Sequence, residues 1–116
     1  MNSIVKKPWG SYQILKKGKN HLVKTMLVKP GEKLSLQSHR HRSEHWIIVE
    51  GTARVTINKT IKIVKSNESV FIPKQAKHRI ENNNKKDLKI IEVQYGNFLQ
   101  ESDIIRYEDI YNRKLS

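Results

Sequence analysis

Glycine and proline cut this chain into short pieces, and that punctuation limits its fold more than any other feature. Pro8, Gly10, Gly18, Pro30-Gly31, Gly51, Pro73 and Gly96 separate segments rich in β-branched and apolar residues. None of these segments carries a sustained helical period. They predict strands at Ser11–Leu15, Leu22–Val28, Leu34–His39, Glu44–Glu50, Ala53–Ile57, Thr60–Val64, Ser69–Ile72, His78–Glu81 and Leu88–Gln94. Asn58-Lys59 falls between two of them as a tight hairpin turn, and Asn82–Asp87 reads as a polar loop. Many short strands at regular spacing argue for an all-β sandwich or barrel. The one helical expectation is a single turn at Glu108–Asn112. With 116 residues there is room for one domain and one modest core. We expect a core barrel over about residues 10–97, with a tail over 98–116 packing on the barrel or on a partner subunit.

Composition excludes several classes. There is no cysteine, which removes disulfides and thiolate metal sites and fits a cytoplasmic protein. The densest apolar stretch, Trp46-Ile47-Ile48-Val49, is strand-sized, so no membrane partner is expected. The formal net charge is +12. Its lysines are scattered and accompany no nucleic-acid-reading element, so nucleic acid is not expected as a partner. The charge reads as a solvated surface, with a few cations recruited to an anionic small molecule.

Three of the five histidines, His39, His41 and His45, fall within seven residues around Glu44. On one strand Gln37, His39 and His41 would share a face. A turn at His41-Arg42-Ser43 could bring Glu44 beside His39, and His78 on a later strand could complete the set. Two imidazoles, a carboxylate and an amide oxygen make a mixed nitrogen and oxygen site suited to zinc, manganese, iron, cobalt or nickel. The competing reading of each histidine is a surface or hydrogen-bonded residue. Alternation points His45 away from Glu44 and puts Trp46 and Ile48 on the Glu44 face. Glu92 and Gln94 share a face, and if that face is inward Glu92 is a candidate base. Arg54, Lys24, Arg79 and Arg106 are candidate phosphate contacts, with Arg79 directed away from the metal by its alternation with His78. Trp9, Gly10 and Tyr12 read as anchors of an N-terminal strand.

Two segments resemble the defining motifs of the cupin superfamily. The first runs from Gly31 through His39, His41 and Glu44 to Gly51, with Gln37 where a histidine is usual. The second runs from Pro73 through His78 to Asn82, with Gln75 in place of a glycine. That departure bears on a turn in which glycine tolerates positive φ better. A closer resemblance covers nearly the whole chain. Lys7–Tyr12, Pro30–Gln37, His41–Trp46, Ile72-Pro73, His78–Asn82, Ile91–Gly96 and Asp103–Tyr111 are similar to the type II mannose-6-phosphate isomerase family. There the cupin unit usually follows a mannose-1-phosphate guanylyltransferase domain, for which this sequence has no room.

The resemblance implies a cupin barrel with one divalent metal, zinc first, on Gln37, His39, Glu44 and His78. It implies interconversion of mannose 6-phosphate and fructose 6-phosphate in nucleotide-sugar or polysaccharide biosynthesis, with a sugar phosphate as substrate. Arg42, His41 and Glu92 are the catalytic candidates: Arg42 for charge stabilisation, His41 and Glu92 for proton transfer. Cupins commonly pair, so a homodimer is expected. The alternatives are another metal cupin enzyme, an epimerase or oxygenase, and a non-catalytic sugar-binding module.

Overall fold

A computed structural model describes residues 3–111. Eleven strands run in chain order: β1 (Ile4–Lys7), β2 (Gly10–Lys17), β3 (His21–Val28), β4 (Leu36–Ser38), β5 (Arg42–Glu50), β6 (Thr52–Ile57), β7 (Thr60–Lys65), β8 (Ser69–Ile72), β9 (His78–Glu81), β10 (Leu88–Gly96) and β11 (Ile105–Glu108). They form two antiparallel sheets, a six-stranded one ordered β1-β2-β3-β10-β5-β8 and a five-stranded one ordered β11-β4-β9-β6-β7. The fold is an all-β cupin barrel. Among the described residues no helix is long and apolar enough to cross a membrane.

Two of the expectations need correction. The sheets extend past residues 10–97: Ile4–Lys7 forms a hairpin with β2, and Ile105–Glu108 pairs with β4. The helical turn expected at Glu108–Asn112 is replaced at its start, since Glu108 ends β11; Asn112 lies outside the described residues. The tail therefore joins a sheet rather than resting on it. Main-chain pairing with the short strand β4 satisfies polar groups that a lone helical turn would leave exposed.

Register explains how a small barrel can hold charge inside. On the inner face of the larger sheet, Glu92 of β10 lies between Lys24 of β3 and Trp46 of β5. The next row sets Gln94 between Leu22 and Glu44. In the other direction Ile90 lies between Met26 and Ile48, and Leu88 lies opposite Val28. The barrel thus has a polar end and an apolar end. The apolar end, with Val55, Ile80 and Ala53 from the smaller sheet, is fully buried and carries the hydrophobic stabilisation.

The Asn58-Lys59 hairpin forms as expected, joining Ile57 to Thr60 with Asn58 in the left-handed region. Gln75, standing where the motif has glycine, keeps a left-handed φ of 70°. Its amide donates to the carbonyl of His39 at 2.9 Å, which ties the turn to the candidate site. A left-handed conformation costs a non-glycine residue about 1–2 kcal/mol, while glycine costs roughly 0.5–1 kcal/mol more in chain entropy. Gln75→Gly should therefore raise the unfolding free energy by about 0.5 kcal/mol, the difference of those two terms. Denaturant titration measures this, and a loss of stability would contradict it.

Candidate metal centre

Three of the expected ligands converge at the polar end. Glu44 follows Arg42 on the inner face of β5, His78 opens β9, and His39 follows the last residue of β4. All three are buried. One ligand atom from each lies within 4.8 Å of the others. Glu44 Oε2 is 3.3 Å from His39 Nε2, and Glu44 Oε1 is 3.7 Å from His78 Nε2.

The hydrogen bonds fix which nitrogens face the cluster. His39 Nδ1 donates to the carbonyl of Asp103 at 2.6 Å, and His78 Nδ1 donates to the carbonyl of Ala76 at 2.9 Å. A carbonyl only accepts, so each Nδ1 carries a proton and Nε2 is the nitrogen turned to the cluster. Burial, then the charges of Arg42 and His78, lower the His39 pKa to about 3, so its ring is neutral and metal-competent at ordinary pH. Glu44 is pushed up by burial, but His78 and the Arg42 guanidinium outweigh this and hold it below the usual carboxylate range. Two imidazoles with Nε2 atoms turned to the cluster, and a carboxylate held below its usual range, fit a divalent cation by their donor chemistry.

Gln37 lines the same cavity and pairs with His78 across β4 and β9. Its Nε2 donates to the carbonyl and hydroxyl of Ser35 at 3.3 and 3.0 Å. The carbonyl fixes the amide's orientation, leaving Oε1, the metal-competent atom, on the other side.

The catalytic candidates are treated unequally. Arg42 is buried and its Nε donates to Glu44 Oε2 at 2.8 Å. Glu92 is buried in the same cavity, held by Trp46 Nε1 at 2.9 Å and Gln94 Nε2 at 2.7 Å. His41 is a correction. It is exposed, and its ring packs edge-on against Phe98 at 5.3 Å rather than facing the cluster. Strand β4 ends at Ser38, so alternation no longer governs residues 39–41. The Asp103 carboxylate accepts from the amides of Arg40 and His41, both at 3.0 Å, and bends the loop outward. His45 is exposed, with its ring 4.7 Å from Phe71.

Among the cationic candidates, Arg54 pairs with Glu81 at 2.7 Å and does not border the cavity. Arg79 turns from the cluster to donate to Leu34 O and Glu108, but it and Arg106 still border the cavity. Lys24 is buried, 3.6 Å from Glu92 and 3.3 Å from Glu101. Burial pushes its ammonium down, and Glu92, Glu101 and Glu44 together more than offset this, so it stays charged. Its signal was present in the sequence, because Lys24 shares an alternating face with Leu22, Met26 and Val28. Asp103 was missed as a positioning residue, since nothing local links it to a loop more than sixty residues earlier.

A family model described as mannose-6-phosphate isomerase C-terminal matches residues 1–109. The chain belongs to this family. Members similar to it include the mannose-1-phosphate guanylyltransferase ManC of Salmonella typhimurium, 50% identical over 97% of this chain and 24% of that protein. Another is the mannose-1-phosphate guanylyltransferase of Escherichia coli, 49% identical over 94% of this chain and 23% of that protein. The chain thus spans about a quarter of the length of the curated relatives it matches. Solved structures agree on the fold. An RmlC-like cupin from Shewanella frigidimarina superposes with a TM-score of 0.77 at 20% identity, covering 88% of each chain. The capsular polysaccharide assembling protein CapF of Staphylococcus aureus does so with 0.81 at 21% identity, over 93% of this chain and 34% of that one.

Family membership leaves the role of the Asp103 clamp to be tested directly. Asp103→Ala keeps the carbonyl that orients His39 but releases the two loop amides. Zinc affinity should fall about 10–100-fold, as for other residues that orient ligands. Calorimetric titration reads this, and an unchanged affinity would contradict it.

Proposed function

We propose that this domain is a metal-dependent aldose–ketose isomerase interconverting mannose 6-phosphate and fructose 6-phosphate. The observation that carries the proposal is the shared cavity. One buried space of about 50 Å³ is bordered by Gln37, His39, Glu44 and His78, by the carboxylate of Glu92, and by Lys24 and Arg42. This combination suits proton transfer beside a carbonyl better than simple sugar binding, which needs no buried base.

A divalent metal on His39, His78, Glu44 and Gln37 would polarise the substrate carbonyl. The chain's own residues do the rest. Glu92 takes the proton from C2 of the open-chain aldose and returns it at C1, while the O2 hydroxyl proton passes to O1. Trp46 and Gln94 hold its carboxylate in place for both transfers. Lys24, 3.6 Å from it, offsets negative charge on the enediolate oxygens. Arg42 contributes a second cation suited to an oxyanion, and Arg79 and Arg106 also border the cavity.

The cavity is too small for the whole substrate. A water takes roughly 30 Å³ of liquid, and ligand pockets run from about 300 to 1,000 Å³. Entry therefore requires this space to widen. The tail's contacts with the site residues include Gln100 O on Arg42 at 3.3 Å, Glu101 on Lys24, and Asp103 O on His39.

The names of the relatives favour a second reading, a metal-holding accessory module to a guanylyltransferase. Turnover separates the two. Purified protein loaded with a panel of divalent ions should form fructose 6-phosphate from mannose 6-phosphate. Glu92→Gln should lower kcat by about 10²–10⁴-fold, the usual contribution of a general base, at unchanged metal content. No turnover with any ion in folded, loaded protein would overturn the isomerase reading.

A further inference from the structure

Arg42 does more than neutralise Glu44. One edge of its guanidinium presents Nε to Glu44 Oε2 at 2.8 Å and Nη2 to His39 Nε2 at 3.2 Å. A third nitrogen, Nη1, reaches the carbonyl of Gln100 at 3.3 Å. Because His39 Nδ1 donates to Asp103, His39 Nε2 is the acceptor and Arg42 the donor.

The chemistry of these two contacts differs. A carboxylate oxygen has two lone pairs, so Glu44 Oε2 can keep Arg42 Nε while also binding a cation. An imidazole nitrogen has one lone pair, in the plane of the ring. His39 Nε2 cannot accept from Nη2 and ligate a metal at once. We propose that the Arg42 guanidinium is an internal competitor for the metal centre: a cation that holds the ligand atoms together and must surrender His39 before a divalent ion can bind. This rests on reading the His39, Glu44 and His78 cluster as a metal site. The group displaced from His39 remains tethered to Glu44, and so stays beside the metal.

Two features favour competition over simple support. Arg42 is buried, so its head cannot stay in water as an exposed arginine would. Its partners are the ligand atoms themselves, not groups behind them, whereas the outer partners of His39 and His78 are backbone carbonyls on Nδ1.

The test compares metal-stripped wild type with Arg42→Met and Arg42→Lys. Binding of Co²⁺ is followed by its visible absorption and by calorimetry. Removing the competitor should tighten Co²⁺ binding about tenfold or more in Arg42→Met, the scale of one lost hydrogen bond involving a charged group. The same variant should unfold at lower temperature when stripped and recover most of the difference when loaded. Arg42→Lys, a cation without the fork, should fall between the two. Equal or weaker binding by a folded Met variant, with wild type still binding, overturns the inference and leaves the metal reading standing. Absence of binding in all three proteins overturns the metal reading, and the inference with it. If the Met variant does not fold, wild type decides. The Arg42 Nη2 protons, slow to exchange with solvent while bonded to His39, should exchange faster on Zn²⁺ titration, and unchanged protection in the loaded protein overturns the inference.

Discussion

A fully buried carboxylate is the constraint around which the polar end of this barrel is arranged. Glu44 sits at 2% exposure on the inner face of β5. An ionised carboxylate there is costly unless it is paired and hydrogen-bonded. Arg42 supplies the charge-assisted hydrogen bond that meets this charge, and the Nε2 atoms of His39 and His78 lie 3.3 and 3.7 Å from its oxygens. A second charged set, Glu92 with Lys24, lies one row away and is closed by Trp46 and Gln94. Glu44 is therefore met from within its own strand by Arg42, and Glu92 from the neighbouring strand by Lys24. The register that creates these meetings is secured by the apolar rows below. A slip of one residue would turn Glu44 and Glu92 outward and Ile48 and Ile90 with them.

The tail completes the arrangement. Its residues do not merely cover the barrel mouth. Asp103 sets the orientation of His39 and shapes the loop after it, and β11 adds a strand beside β4. Farther along, Tyr107 meets Ser38 and Tyr111 meets Glu32 and Lys33. The segment that contacts Lys24 and Arg42 is thus also the one that orients His39.

Local pattern revealed most of the strands, because alternation and turn residues act over a few positions. Nine strands were legible this way, as was the shared face of Glu44 and Trp46, whereas the inward direction of Glu92 was left open and is settled by its burial. β1 and β11 were not, since both are four residues long and form only by pairing with another strand. For His41, strand alternation misled beyond the point where β4 ends, and the force that bends the loop comes from a distant carboxylate. The ligand set was legible as a constellation, but its tautomers were not. They depend on the carbonyls of Asp103 and Ala76, which no side-chain pattern reports. The contact between Arg42 and His39 was equally hidden, because it follows from the three-dimensional placement of a loop residue.

The central claim is that His39, Glu44 and His78, with Gln37, bind one divalent ion through both Nε2 atoms. Anomalous diffraction at the metal edge from crystals of the zinc-loaded protein tests it most directly. The account predicts a single peak within coordination distance of His39 Nε2, His78 Nε2 and a Glu44 oxygen, with both Nδ1 atoms still bonded to their carbonyls. A folded protein with no peak there, or a metal held elsewhere, would contradict it.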